Sequence, residues 1–391
     1  MRTIAVFTAT RADYGLLRPV LLRLREAADC HLRLLVSGTH LSPLHGHTLG
    51  EILADGFTPD ATIPLVLDDD APAALCGVMG HVVTGVGQAI SRQQPDLLLL
   101  LGDRYECLGA AAAAAMCTVP VAHISGGEIT RGANDDAFRH AVTKLAHLHF
   151  TSCEPYRRRV IQMGEAPERV WNVGALGVEN ALRLPLWDEA RIRAELGLAP
   201  GRPYFLCTFH PVTLEPGDED RQLDALCSAL AAFPDHAVIF TGANADAGGL
   251  GLNDRLKAFT QANPDRVRLF ASLGVMRYLS AAKYAACVAG NSSSGIIEVP
   301  SLGTPVVNIG SRQRGRIASS VVLHCPAEEE AVATCLRRAL SSEHRALARV
   351  TPNPYEGKDT SAAIARILME HPLENILRKN FHDIAAAALG A

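Results

Sequence analysis

At 391 residues, 48% hydrophobic and 20% charged, the chain has room for two hydrophobic cores and the makeup of a soluble globular protein. Its formal charge of −4 lacks the basic balance of a nucleic-acid binder or of a protein drawn to anionic membranes. Ten cysteines form no C-x-x-C pair, and most sit in apolar runs such as FLCTF, so buried reduced thiols are expected rather than a disulfide framework or a zinc site.

The amino-terminal MRTIAVFTATRADYG holds an apolar run too short for a signal peptide. Elsewhere no apolar stretch is expected to reach the roughly 18 residues of a membrane span. A cytoplasmic protein without a membrane partner follows from that reading. Strand-like runs then alternate with helical patterns: TIAVF (3–7), HLRLLVS (31–37), DLLLLLGD (96–103), VPVAHIS (119–125), LHFTS (148–152) and RVWNVG (169–174). LGAAAAAAMCTVPVA (108–122) reads as a helix followed by a strand, with Pro120 between them. After Gly174 a segment rich in Pro and Gly reads as a connector over 175–200. A second series follows in 203–211, 236–244, 266–273, 286–293, 305–311 and 320–324. Such alternation predicts an α/β fold of two doubly wound, Rossmann-like domains with a central cleft. The first covers 1–175 and the second 200–358, with a last helix over 359–389 crossing back to the first.

Ligands of open α/β sheets bind beyond the carboxyl ends of the strands, so the residues just after each run are the site candidates. Arg11 follows the first strand. Asp103 and Arg104 follow five leucines and a glycine, where a carboxylate at a buried edge suits proton transfer; the alternative for Asp103 is a helix N-cap. Glu128 and Asp135 lie in the loop after the next strand, and Asp136 complements the dipole of a first helical turn. His210 ends FLCTF, as an acid/base group, a phosphate partner or a structural hydrogen bond. GNSSSGIIE (290–298) opens a helix after a strand, so Ser292 and Ser293 suit a phosphate, or simply cap the helix, and Glu298, about two turns into that helix, suits a ribose diol. Arg312 is favoured among the three arginines of GSRQRGR for phosphate contact. Neither a P-loop nor a dinucleotide fingerprint is present. His140, His147 and His149 match no compact metal motif, and the last two read as structural.

Together, TRADYG, GDRYE, HISGGEIT, GANDDAFRHAVTKLAHLHF, TFHPVTLE and GNSSSGIIEVPSLGTPVVNIGSRQRGR resemble the UDP-N-acetylglucosamine 2-epimerase family over nearly the whole chain. The likeness is to its hydrolysing branch, which feeds sialic-acid and related nonulosonate synthesis. The resemblance implies a glycosyltransferase-B-like fold, a UDP-sugar substrate, no metal or other cofactor, and a homodimer or homotetramer. It also implies loss of the C2 proton and of UDP to give a glycal, followed by hydration. Asp103, Glu128, Asp135 and His210 fall at acid/base positions, and Arg11, Asn244, Ser292, Ser293, Glu298 and Arg312 at nucleotide or phosphate positions. Ser125, where non-hydrolysing relatives carry an acid, Arg131 and Gly15 depart from related sequences and leave the sugar open between N-acetylglucosamine and a 2,4-diacetamido-trideoxy sugar. A transferase of the same architecture, or a nucleotide-sugar sensor without turnover, are the alternatives.

Overall fold

The computed structural model describes residues 1–42, 48–67, 71–131, 134–212, 217–243 and 249–384. Its contacts divide into two compact units. The first comprises the described residues of Met1–Glu128, Asp135–Leu176 and Gly357–Ala391, and the second those of Ile129–Asn134 and Gly177–Glu356.

The first unit is built on seven strands: β1 (Arg2–Thr8), β2 (Cys30–Ser37), β3 (Ala61–Ile63), β4 (Leu97–Leu101), β5 (Val121–Ile124), β6 (Leu148–Thr151) and β7 (Val170–Asn172). They pair in parallel in the order β3-β2-β1-β4-β5-β6-β7. Successive strand side chains point to opposite faces. Thus Ile4, Val6, Leu97 and Leu99 enter one core, and Ala5, Phe7, Leu98 and Leu100 enter another. A strand that must be apolar on both faces loses alternation, which is why LLLLL reads as a continuous run.

β3 lies outside the sequence expectations. It is a three-residue edge strand just before Pro64, too short to show a period. Helix Pro72–Gln93 corrects another expectation, because its segment Ala73–Gln93 is long and apolar enough by length and composition to cross a membrane. Gly and Thr interrupt the apolar residues there, so no unbroken run flags it. Its Val82, Val86, Ala89 and Ile90 pack into the core of this unit.

The second unit holds β8 (Tyr204–Thr208), β9 (Ala237–Thr241), β10 (Val267–Phe270), β11 (Cys287–Gly290), β12 (Val306–Ile309) and β13 (Val322–Cys325), all parallel, in the order β10-β9-β8-β11-β12-β13. Phe205, Cys207, Phe240 and Ile309 pack against Leu226, Leu230 and Leu336 of its helices. The stretch read as a connector instead contains helices Leu176–Arg183 and Glu189–Glu195. The last helix is also shorter than 359–389: it spans Thr360–Glu370 and stops just before Pro372, which lacks the N–H to continue it. Its Ile364 and Leu368 join Leu17, Leu21 and Leu24 in the first unit, and Thr360 Oγ1 donates to the Val173 carbonyl at 2.7 Å. All ten cysteines are free thiols; Cys76 departs from the expected burial and is exposed.

Candidate functional site

In a doubly wound sheet the loops diverge where strand order reverses, leaving a crevice for a ligand. That point falls between β1 and β4 in the first unit and between β8 and β11 in the second. Of the residues singled out in the sequence, Arg11, Asp103 and Arg104 follow β1 and β4, Glu128 and Asp135 follow the neighbouring β5, and His210, Ser292 and Ser293 follow β8 and β11.

Beyond β1, Thr10 caps helix Arg11–Glu26 in a reciprocal box with Asp13, so Arg11 is the first helical residue at the carboxyl end of the strand. Asp13 accepts from the N–H groups of Ala9 and Thr10, each at 3.0 Å. Burial outweighs those bonds and raises its carboxyl to about 6. Gly38 follows β2 with φ +58; a Cβ there would lie 2.4 Å from the Ala9 carbonyl oxygen, so only glycine lets the two loops meet.

Beyond β4, Asp103 is not a helix cap: that position belongs to Arg104, which precedes helix Tyr105–Met116. Asp103 instead pairs with Arg139, a guanidinium only 1% exposed. Arg139 Nη1 also donates to the Glu128 carbonyl at 2.9 Å and to Asp136 at 3.1 Å. A buried arginine is tolerable only when its donors are met, and here meeting them ties the loop after β4 to the loop after β5. Arg104 is gripped by Glu106 through Nε at 3.1 Å and Nη2 at 3.3 Å, with the Glu106 side chain 1% exposed.

Glu128 is buried and accepts from Ser152 Oγ at 2.7 Å. Just before it, Gly127 has φ +78, and a Cβ would fall 2.6 Å from the Tyr156 carbonyl. Asp135 opens helix Asp135–Leu145, half-buried. Asp136 does occupy the first turn, but it also serves as a partner of Arg139. The loop between them belongs, by its contacts, to the second unit: Arg131 N–H donates to the Arg314 carbonyl at 3.4 Å and Arg316 Nη2 to Thr130 Oγ1 at 3.0 Å.

The histidines of this region brace the scaffold. His123 contacts the Gly102 carbonyl through Nε2 at 2.7 Å and Thr143 Oγ1 through Nδ1 at 3.2 Å, and burial lowers it to about 3. A carbonyl only accepts, so Nε2 carries a proton, and burial favours the neutral ring. His147 Nδ1 accepts from the Val121 N–H at 3.2 Å. His149 Nε2 lies 3.1 Å from Glu165, which also pairs with Lys144 and Lys379. Among the described residues, no three His, Cys, Asp or Glu side chains are grouped as metal ligands.

In the second unit, His210 is 6% exposed beyond β8. Asn291, fully buried beyond β11, clamps its backbone: Oδ1 accepts from the His210 N–H at 2.7 Å, and Nδ2 donates to the His210 carbonyl at 2.8 Å. Gly290 permits the approach, since a Cβ there would lie 1.9 Å from the Thr208 carbonyl oxygen. The carbonyl of Asn291 in turn accepts from Gln313 Nε2 at 2.9 Å and Arg312 Nη1 at 3.3 Å. Arg312 therefore reaches the loop that holds Ser292 and Ser293.

Ser292 caps a helix of five residues, Ser293–Ile297, rather than the longer one expected. Pro300 removes a donor that further helix would need, and a 3₁₀ turn, Val299–Leu302, follows. Glu298 thus sits at the helix end. It accepts from Ser294 Oγ, and burial raises its carboxyl despite that bond. Asn244 lies outside the described residues. Sequence reasoning passed over Arg139, Ser152, Asn291 and Gln313. The one local signal was an arginine three residues after Asp136 on the same helix face.

These two switch points, each dressed with polar side chains, define a two-unit Rossmann-like protein. The family model for UDP-N-acetylglucosamine 2-epimerase matches residues 22–369, and the chain belongs to that family. It is 35% identical over 386 residues to the polysialic acid biosynthesis protein P7 of Escherichia coli, covering 98% of both chains. It is 36% identical over 322 residues to a hydrolysing GDP/UDP-N,N'-diacetylbacillosamine 2-epimerase of Campylobacter jejuni, covering 82% of this chain and 84% of that one. The fold matches the crystal structure of the UDP-N-acetylglucosamine 2-epimerase of Neisseria meningitidis bound to its nucleotide sugar, with TM-score 0.79 at 16% identity, over 95% of this chain and all (100%) of that one.

Proposed function

We propose that the protein is a hydrolysing UDP-sugar 2-epimerase that converts UDP-N-acetylglucosamine and water to N-acetylmannosamine and UDP. A base takes the C2 proton while the C1–O bond breaks and its electron pair leaves with UDP, giving a C1–C2 double bond. Water then adds at C1, and a proton returns to C2 on the opposite face. The observation that carries this reading is the Asp103–Arg139–Glu128 cluster. The guanidinium keeps the Asp103 carboxylate ionised, the form a general base needs, and it also holds the Glu128 backbone carbonyl, on the loop that carries the second proposed acid/base carboxylate. Asp103 is the proposed C2 base, with Glu128, Asp135 and His210 as the remaining acid/base groups. Arg11, Arg104, Asn244, Ser292, Ser293, Glu298 and Arg312 are the proposed nucleotide and phosphate contacts, and the second unit the nucleotide-binding one. The hydroxyls of Ser292 and Ser293 and the guanidinium of Arg312 support that assignment through diphosphate chemistry.

A second reading, in which the substrate is UDP-2,4-diacetamido-2,4,6-trideoxyglucose, is favoured by the name of the Campylobacter relative. Incubation with each nucleotide sugar in deuterated water, followed by NMR, separates the two. Release of UDP with deuterium at C2 identifies the substrate, and absence of both with either sugar refutes the proposal.

A further inference from the structure

On the second unit, at the sheet edge where β11 and β12 begin, lies a cavity of about 270 Å³ whose lining includes Glu189, Lys283, Tyr284, Gly303, Arg345 and Arg349. This is the edge opposite Asn291 and Ser292, which follow the carboxyl end of β11. Three of those six residues are cationic and one is acidic. The acid is already engaged, because Glu189 Oε1 accepts from Arg193 Nε at 2.8 Å. Among the described residues, neither arginine nor Lys283 has an acidic partner.

Lone surface arginines are ordinarily just solvated, but two features set this group apart. Arg345 and Arg349 stand one turn apart on helix Ser342–Val350, whose place is fixed by a Ser341 cap and by buried His344 and Ala348. Like charges at that spacing repel and weaken a helix, a cost that an anion between them would reverse. The three cationic residues are exposed, and two of them have contacts along the walls. Gly303 has φ +70, and a Cβ there would lie 3.3 Å from both Cα and Cγ of Arg349, so glycine lets the stem of that arginine lie against the loop before β12. Lys283 Nζ is 5.5 Å from the centroid of the Tyr284 ring, an aromatic contact that steadies the ammonium.

We infer that this cavity is a second anion site, which takes a small phosphate- or diphosphate-bearing molecule between Arg345, Arg349 and Lys283. Guanidinium forks match phosphate oxygens two at a time. The volume falls just below the ~300 Å³ at which pockets for larger organic ligands begin, which suits a compact oxyanion. The site is independent of the reaction proposed for the strand ends.

The test is calorimetric titration of inorganic pyrophosphate into the full chain at fixed ionic strength, with the double variant Arg345→Ala, Arg349→Ala and, separately, Arg312→Ala. The inference expects a saturable site that survives Arg312→Ala and loses at least about tenfold in affinity in the double variant. The double variant should melt no lower than wild type and keep its UDP release from nucleotide sugar. Identical isotherms for wild type and the double variant, no saturable heat in Arg312→Ala, or sulfate binding as well as pyrophosphate at matched ionic strength would each overturn it.

Discussion

The two units share one strand order around their switch points, yet they present different chemistry there. The first gathers carboxylates and a buried arginine; the second gathers serines, an amide clamp and a half-buried arginine. What differs is not the sheet but the residues that follow each strand, so the scaffold sets where groups emerge and the loops set what they do. The units also differ inside: beneath its loops the first buries His40 and His123 as neutral rings, with Asp13 beside the loop after β1.

The largest break in this comparison comes from Asp103→Asn. It removes the proposed base while keeping the size of the side chain, and UDP release should fall by roughly 10²–10⁴-fold. Affinity for UDP, whose proposed contacts do not include Asp103, should stay within about twofold of wild type by calorimetry. Equal loss of both would show that the labour is not divided this way.

Arg139→Met tests the buried guanidinium. Removing one partner of a buried pair strands the others, and a loss of about 3–5 kcal/mol is expected in urea unfolding of the first unit. Trp171 belongs to that unit and Trp187 to the second, so single-tryptophan variants report each separately. The shift should appear in the signal from Trp171 alone.

Acid sharpens the contrast further. Burial lowers His40 to about 4 and His123 to about 3, below their ordinary value of 6.5. The unfolded chain takes up these protons first, so the stability is complete above pH 6.5 and drains away as pH falls towards those lower values. The loss is on the order of a few kcal/mol for each ring, offset in part by Asp13, whose raised carboxyl takes up its proton first in the folded state. Trp171 fluorescence should therefore report acid unfolding, and His123→Gln should flatten its pH dependence.

In the second unit, Asn291→Ala frees the backbone N–H and carbonyl of buried His210. A loss of about 1–3 kcal/mol of stability is expected, read in urea unfolding followed through Trp187, and turnover should fall by more than UDP affinity because the displaced group is His210. The smallest effect belongs to Glu298→Gln, for which UDP binding should weaken by about tenfold with turnover at saturation kept.

Much of this molecule was legible from its residues, for identifiable reasons. Runs such as TIAVF and LLLLL announce buried parallel strands because both faces must be apolar, and the polar residues after them mark the carboxyl ends. GNSSSG and HISGGE could be set beside family motifs because loop chemistry is written in short contiguous strings. β3 escaped because three residues carry no period, and the apolar helix Pro72–Gln93 because its small and polar residues break the run. The five-residue helix before Glu298 was overestimated because Pro300 acts one step beyond the serines that start it.

Local sequence, then, determined the strands, their parallel class and the places where site residues emerge, since each depends on neighbours a few positions away. Partnership was decided only by tertiary structure. Arg139 meets Asp103 across 36 positions, Asn291 grips His210 across 81, and helix Thr360–Glu370 caps a core begun by β1. None of these has a periodic or spacing signature, because a buried charge or amide is satisfied by whatever the fold carries to within hydrogen-bond reach.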